Sequence, residues 1–172
     1  MLSGVLTLPK VAQRVEGVIP PIITPYFNGE FDARSFKKVA DNMIEHGVDG
    51  LFVLGYNGEF DRISLEEKRN IINIVTRNYA GRTMLFVGTT GNNLDETIEL
   101  SSFVSKQDGI TALVVAPEYG NFNQESYYMD ELLANTDGKT KFVLYNNPGI
   151  TNGRDIPLED IAFQRKNPRI KE

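Results

Sequence analysis

Short β-rich apolar runs alternate with amphipathic stretches along this chain, at roughly 27 to 34 residues from one run to the next. The apolar runs are "GVIPPIITP" (17–25), "DGLFVLG" (49–55), "TMLFVGT" (83–89), "ITALVVAP" (110–117), "KFVLYNNP" (141–148) and a sixth opened by "RIKE" (169–172). Between them lie stretches with helical spacing, at 32–47, 64–81, 94–109, 124–138 and 157–165. In the first, Phe36, Val39, Ala40, Met43 and Ile44 share one face, and Gly47 is the expected stop. In the second, Ser64 and Glu67 form a capping-box signature and Gly81 ends the helix. This spacing predicts βα units, which build parallel sheets because a parallel return needs a crossover helix.

Two architectures satisfy that repeat, a doubly wound sheet and a (β/α)8 TIM barrel. A doubly wound nucleotide binder carries a glycine-rich fingerprint after its first strand, and "TPYFNGEFD" lacks it. Polar residues instead gather at the C-terminal ends of successive strands: Thr24, Tyr56, Asn57, Thr89, Thr90, Tyr119, Tyr145 and Lys171. A TIM barrel builds its active site at that end, so the barrel is the expected fold. Its strands are expected near 18–24, 50–55, 84–88, 111–116, 141–145 and 168–171. Six strands do not close an eight-stranded barrel of about 250 residues. The expected organisation is an N-terminal extension (1–16) followed by the N-terminal part of a barrel domain (17–172). Prolines in the first run restrict it to a barrel start or an edge.

Composition narrows the chemistry. The chain has 172 residues, no cysteine and one histidine, and a net charge of −5. Thiolate and His-cluster metal sites therefore cannot be built within it. Nothing gives it the basic footprint of a nucleic-acid binder, and no apolar run approaches the ~20 residues of a membrane span. "MLSGVLTLPKVAQRVEG" has no cleavage region of the signal-peptide kind, and a cytoplasmic protein is expected. His46, near the end of the first helix, reads as a partner for the helix C terminus.

Three loop motifs carry candidate chemistry. In "VLGYNGEF" (53–60) two glycines bracket two polar residues. Such a turn either serves chain reversal alone or presents N–H groups to a carboxylate or phosphate. "VLYNNPG" (143–149) puts Tyr145 at a strand end, where its phenol either packs and bonds to backbone or passes protons. Tyr119, in "APEYGNFNQESYY" (116–128), either covers the core or faces the same rim. Lys171 is either an edge charge or a reactive amine.

Taken in order, "IITPY", "GYNGEF", "PEYGNFNQE", "YNNP" and "IKE" resemble the motifs of the dihydrodipicolinate synthase / N-acetylneuraminate lyase family of class I aldolases. The resemblance runs from about residue 17 to the end. It implies a (β/α)8 barrel, a homo-tetramer or homo-dimer, no metal or organic cofactor, and a small-molecule 2-oxo acid and an aldehyde as partners. It also implies that Lys171 is the Schiff-base lysine and Tyr145 a proton carrier. Tyr56, Asn57, Tyr119 and Thr24 become substrate-binding positions, with Glu59 retained beside them. Strand alternation aims Ile170 and Lys171 at opposite faces. With Lys171 inward, desolvation disfavours the ammonium and leaves a nucleophilic amine.

Departures shape the expected reaction. The resemblance implies two small hydroxyl residues where this chain has Tyr56 and Asn57, and a bulky Tyr56 cannot put its hydroxyl where a threonine's would lie in a tyrosine relay. Asn57 resembles the hydroxy-oxoglutarate aldolase branch. Ile150 stands where synthases carry a carboxylate-binding arginine, and Arg154 is not matched to it. The expected activity is cleavage or formation of a C–C bond of a 2-oxo acid, with pyruvate as product or donor. The alternatives are 4-hydroxy-tetrahydrodipicolinate (dihydrodipicolinate) synthase and a non-catalytic paralogue that binds 2-oxo acids.

Overall fold

The computed structural model describes residues 15–117, 125–149, 151, 153 and 155–171. Five strands form one sheet: β3 (Gly50–Val53), β4 (Met84–Gly88), β5 (Ala112–Val115), β6 (Phe142–Leu144) and β7 (Ile170–Lys171). They lie side by side in chain order, and every neighbouring pair is parallel. The helices are α1 (Ala33–Glu45), α2 (Leu65–Tyr79), α3 (Leu94–Ser105), α4 (Glu125–Ala134) and α5 (Leu158–Gln164). A strand order that never reverses has no topological switch point, so it is not the doubly wound alternative.

The two faces of the sheet differ in what covers them. Leu51, Val53, Leu85, Val87, Leu113, Val115 and Phe142 point to one side and join Phe36, Ile72, Val75, Leu100, Val104 and Leu132 of the helices in one buried core. Phe86, Ala112 and Val114 point to the other side, where Ile19, Phe52, Met84, Val143 and Tyr145 pack on them. No helical residue joins that second cluster. Helices on one face and, among the described residues, only side chains of the strands and the segments flanking them on the other is the layering of a barrel wall. The chain has the fold of the N-terminal part of a (β/α)8 barrel.

The helix ends obey local chemistry. Asp32 caps α1 by accepting from the Arg34 and Ser35 N–H groups at 3.1 and 3.0 Å. Ser64 caps α2 by accepting from Glu67 N–H at 3.3 Å, the serine half of the expected box. Asn93 does the same for α3 through Glu96 N–H at 2.9 Å. Gly47 and Gly81, with φ of +86° and +75°, follow α1 and α2 as expected. His46 Nδ1 lies 2.8 Å from the Asn42 carbonyl, at the end of α1.

One expected strand is corrected. Residues 18–24 are extended but form no regular strand; a single bridge joins Pro21 to Phe52. The segment still runs along β3, with Ile22 N–H donating to Phe52 O at 2.9 Å and Phe52 N–H to Pro20 O at 3.0 Å. Pro20 and Pro21 have no N–H to give, so the ladder is thinned at its centre. A two-stranded hairpin that the periodicity did not predict follows: β1 (Tyr26–Phe27) pairs antiparallel with β2 (Glu30–Phe31). Asn28 and Gly29 turn it with φ of 52° and 83°, the left-handed pair that a two-residue hairpin requires. The N-terminal extension lies outside the described residues except for its last two.

Candidate active site

Lys171 is placed by register. In β7, Ile170 pairs with Phe142 and Lys171 with Val143. Ile170 packs against the helix-facing core, so Lys171 projects to the opposite, inner face with Val143. It is half-buried by the described residues. Tyr145 follows Val143 by two residues and therefore shares that face. Its N–H donates to Val115 O at 2.8 Å, and its ring meets Phe52 edge-on with centroids 6.1 Å apart. The phenol oxygen accepts from Asn147 Nδ2 at 2.9 Å.

The turn after β3 is two successive 3-10 turns, Tyr56–Gly58 and Phe60–Arg62. Leu54 and Glu59 bracket the first of them with φ of 54° and 52°. Left-handed backbone is costly for non-glycine residues, and strained segments of this kind concentrate at functional sites. Gly58 and Glu59 N–H groups close the first turn onto the carbonyls of Gly55 and Tyr56, each at 2.9 Å. The Tyr56 and Asn57 N–H groups are the orphan donors that the start of such a turn leaves. Gly58 sits in close quarters: a Cβ there would lie 3.0 Å from Thr24 Oγ1 and 3.3 Å from Ile22 O. The turn thus rests on the first extended segment, with Thr24 directly beneath it.

Two depressions open at this end of the sheet. One, of about 310 Å³, is lined by Tyr56, Phe60, Asp61, Thr90, Gly91, Asn92, Ala116 and Gly149. A narrow recess beside it is lined by Phe52, Gly55, Tyr56, Gly88, Thr90, Val114 and Tyr145, among others. Tyr56, Phe60, Thr90 and Ala116 line both and link them. Asn57 is exposed on the turn and lines neither. Thr89, polar at its strand end, turns away: it is fully buried and accepts from Ser101 Oγ of α3 at 2.9 Å. Thr90 Oγ1 accepts from Ala116 N–H at 2.9 Å and fixes β5 to the turn after β4. Tyr119, Ile150 and Arg154 lie outside the described residues. A third depression, of about 280 Å³, sits at the other end of the sheet among Lys106, Asp108, Thr111, Lys139 and Lys141, far from these side chains.

A second amine sits near the site. Lys68 of α2 is 2% exposed; its Nζ donates to Thr90 O at 3.3 Å and lies 5.4 Å from the Phe60 ring centroid. Burial pushes its pKa below the ordinary 10.5, while the charges of Glu96 and Asp61 push it back up. The signal was present in the sequence: Lys68 falls at the apolar positions of α2, in step with Leu65, Ile71, Ile72 and Val75. A lysine whose folded pKa is depressed binds fewer protons folded than unfolded between that pKa and 10.5. Stability should therefore rise with pH through that interval, and Lys68→Met should flatten the rise. Denaturant unfolding of both proteins between neutral and alkaline pH measures it; identical profiles would contradict this account of Lys68.

A helix-backed parallel wall with polar side chains at its C-terminal strand ends defines a barrel of the kind that works at that rim. The chain belongs to the dihydrodipicolinate synthetase family, whose model matches residues 14–171. It is 32% identical over 154 residues to the 4-hydroxy-tetrahydrodipicolinate synthase of Nitratidesulfovibrio vulgaris (strain DP4), covering 90% of this chain and 53% of that protein. Among solved structures, YagE is a prophage protein of the dihydrodipicolinic acid synthase family from E. coli K12, solved in complex with pyruvate. It is 32% identical with a TM-score of 0.71, covering 79% of this chain and 46% of YagE. A dihydrodipicolinate synthase structure superposes with a TM-score of 0.80 at 27% identity, over 92% of this chain and 56% of its own. The chain thus spans about half the length of the curated relatives it matches.

Proposed function

We propose that the whole protein is a Schiff-base-forming aldolase or lyase that makes or breaks a C–C bond of a 2-oxo acid, with pyruvate as donor or product. The observation that carries this reading is the register of β7, which puts Lys171 on the inner face with Tyr145. On this reading the Lys171 amine adds to the C2 carbonyl carbon, and the carbonyl oxygen takes a proton from Tyr145. The phenolate then takes a proton from the nitrogen and passes it to the new hydroxyl, which leaves as water and gives a protonated imine. The imine accepts the electron pair released when the bond from C3 to the aldehyde-derived carbon breaks, as the Tyr145 phenolate takes the proton of that carbon's hydroxyl and leaves an aldehyde, or when the phenolate takes a C3 proton. The enamine so formed is protonated, or adds to an aldehyde in the reverse sense. Tyr56 and Asn57 N–H groups and the Asn57 amide are the donors suited to the 2-oxo acid carboxylate, and Thr24 buttresses their turn. Tyr119 is a further substrate-binding position by the resemblance alone.

The family membership supports this chemistry, and the complex of YagE with pyruvate supports the donor. A homo-oligomeric cytoplasmic enzyme needing no metal or organic cofactor goes with the same reading. Among the described residues, no helix is long and apolar enough to cross a membrane. The second reading is 4-hydroxy-tetrahydrodipicolinate synthase, favoured by the name of the Nitratidesulfovibrio relative. Tyr56 and Ile150 weigh against it, since neither supplies the hydroxyl or the cation that the resemblance implies there. Incubation of the whole protein with pyruvate and borohydride tests the shared step. A reduced adduct on the peptide holding Lys171 is expected, and its absence under saturating pyruvate would favour the binding paralogue. Product analysis with candidate aldehydes separates the two enzyme readings.

A further inference from the structure

Asn147 is the one side chain that hydrogen-bonds the phenol of Tyr145 among the described residues, with Nδ2 at 2.9 Å from the phenol oxygen. Its amide cannot be reversed without loss. Gly149 N–H donates to Asn147 Oδ1 at 3.0 Å, so the oxygen end is taken and the NH2 end faces Tyr145. The residue is also held through its backbone, whose carbonyl accepts from Thr151 N–H at 3.2 Å and Thr151 Oγ1 at 3.1 Å. An amide NH2 only donates. The phenol oxygen is therefore the acceptor, and the hydroxyl hydrogen is left to point elsewhere. Phe52, edge-on to the Tyr145 ring, fixes the ring plane from the other side. The phenol is thus aimed by one ring contact and one directed hydrogen bond, while Tyr56, exposed on its 3-10 turn, is 52% accessible.

We propose that Asn147 is a positioning residue for the proton transfers of Tyr145. It holds the phenol oxygen so that the O–H faces the inner side of the sheet, and it does so from the same loop rather than through a hydroxyl at position 56. This rests on the reading of Tyr145 as the proton carrier. Asn147 touches no reacting atom; it acts only through the phenol.

The test is a double-mutant cycle in the whole protein, with Asn147→Leu, Tyr145→Phe and the two combined. The readouts are the rate of borohydride-trapped imine with saturating pyruvate, the KM for pyruvate, and the melting temperature. Asn147→Leu is expected to slow imine formation about 10-fold with KM within about twofold, because one directed hydrogen bond to a proton carrier is lost. In the Tyr145→Phe background the same substitution should change the rate less than about twofold, since there is no longer a phenol to aim. Asn147→Asp, similar in size but an acceptor, should behave like Asn147→Leu. An effect of Asn147→Leu that persists undiminished without the phenol, or a rate unchanged in both Asn147 variants, overturns the proposal. Should Asn147→Leu fold poorly, Asn147→Asp supplies the same cycle. A wild type that forms no imine, or a Tyr145→Phe variant at the wild-type rate, would sink the underlying reading of Tyr145 instead, and this inference with it.

Discussion

Lys171→Ala in the whole protein is expected to abolish the borohydride-stable adduct with pyruvate and to leave no measurable turnover. The argument begins with register. β7 pairs only two residues with β6, and their order decides which face receives the amine. Ile170 fills the helix-facing core, so the amine emerges beside Val143 and on the face of Tyr145. Imine formation needs a free amine, a carbonyl and a proton carrier in one place. Lys171→Arg should fail equally, because a guanidinium stays protonated and cannot act as the nucleophile. Tyr145→Phe should keep the ability to label but slow it about 100-fold, the scale of a lost general acid–base group. Lys68 is the rival to exclude. It is a buried amine with a depressed pKa near the same strand ends, yet its Nζ is engaged by Thr90 O and it belongs to α2 of the helix layer. Lys68→Met should therefore label like the wild type, and an adduct that moves to the peptide containing Lys68 would reverse the assignment. Mass spectrometry of the trapped peptides reads all four variants.

The helices and inner strands were legible because each carries its own signal. Ser64 before an amphipathic run fixed the start of α2, and four apolar residues in a row, as in Leu113 to Ala116, have only a buried strand to occupy. The alternation of Ile170 and Lys171 was legible for the same reason, since one apolar and one charged neighbour in a strand leave little choice of face. What failed was governed by groups that the pattern does not weigh. Pro20 and Pro21 keep an extended course but cannot donate, so the first strand dissolves into a single bridge. The Asn28-Gly29 hairpin was overlooked because its strands are two residues each, too short for a period to show. At the site, Asn57 was expected on the rim; it sits exposed and lines neither depression, although Tyr56 beside it lines both, because the tight closure of residues 55–59 sets its direction. Lys68 was passed over although its place among the apolar positions of α2 marked it, and Asn147 was missed since an amide aimed at a phenol two residues away is seen only once the neighbours are placed.

Arg169→Ala is expected to destabilise the whole protein by about 3 kcal/mol and to weaken imine trapping with it. β7 is too short to hold its own place: beyond its two paired residues, the nearest backbone anchor is Phe142 N–H donating to Arg169 O at 2.7 Å. The Arg169 side chain supplies the rest. Nη1 donates to Leu133 O at 2.7 Å, Nη2 to Thr136 Oγ1 at 2.6 Å and Asp137 O at 2.9 Å, and Nε to Thr140 O at 2.9 Å. The guanidinium also lies 5.7 Å from the Phe142 ring centroid. One side chain thus ties the C-terminal end of α4, the connection to β6 and the entry to β7 into one unit, and it satisfies carbonyls that a helix end otherwise leaves without partners. Truncation loses four charge-assisted bonds at once and strands those acceptors. Arg169→Lys should recover little, because an ammonium is a point charge and cannot reach the helix end and Thr140 together. The consequence reaches the site through register, since a slip of one residue in β7 would turn Lys171 to the helices and Ile170 to the inner face. Denaturant midpoints for wild type, Arg169→Ala and Arg169→Lys, taken with their rates of imine trapping, test both halves. Wild-type stability in Arg169→Ala would mean that the sheet alone fixes β7, and lost stability with an unchanged trapping rate in the folded fraction would mean that the register survives without the clamp.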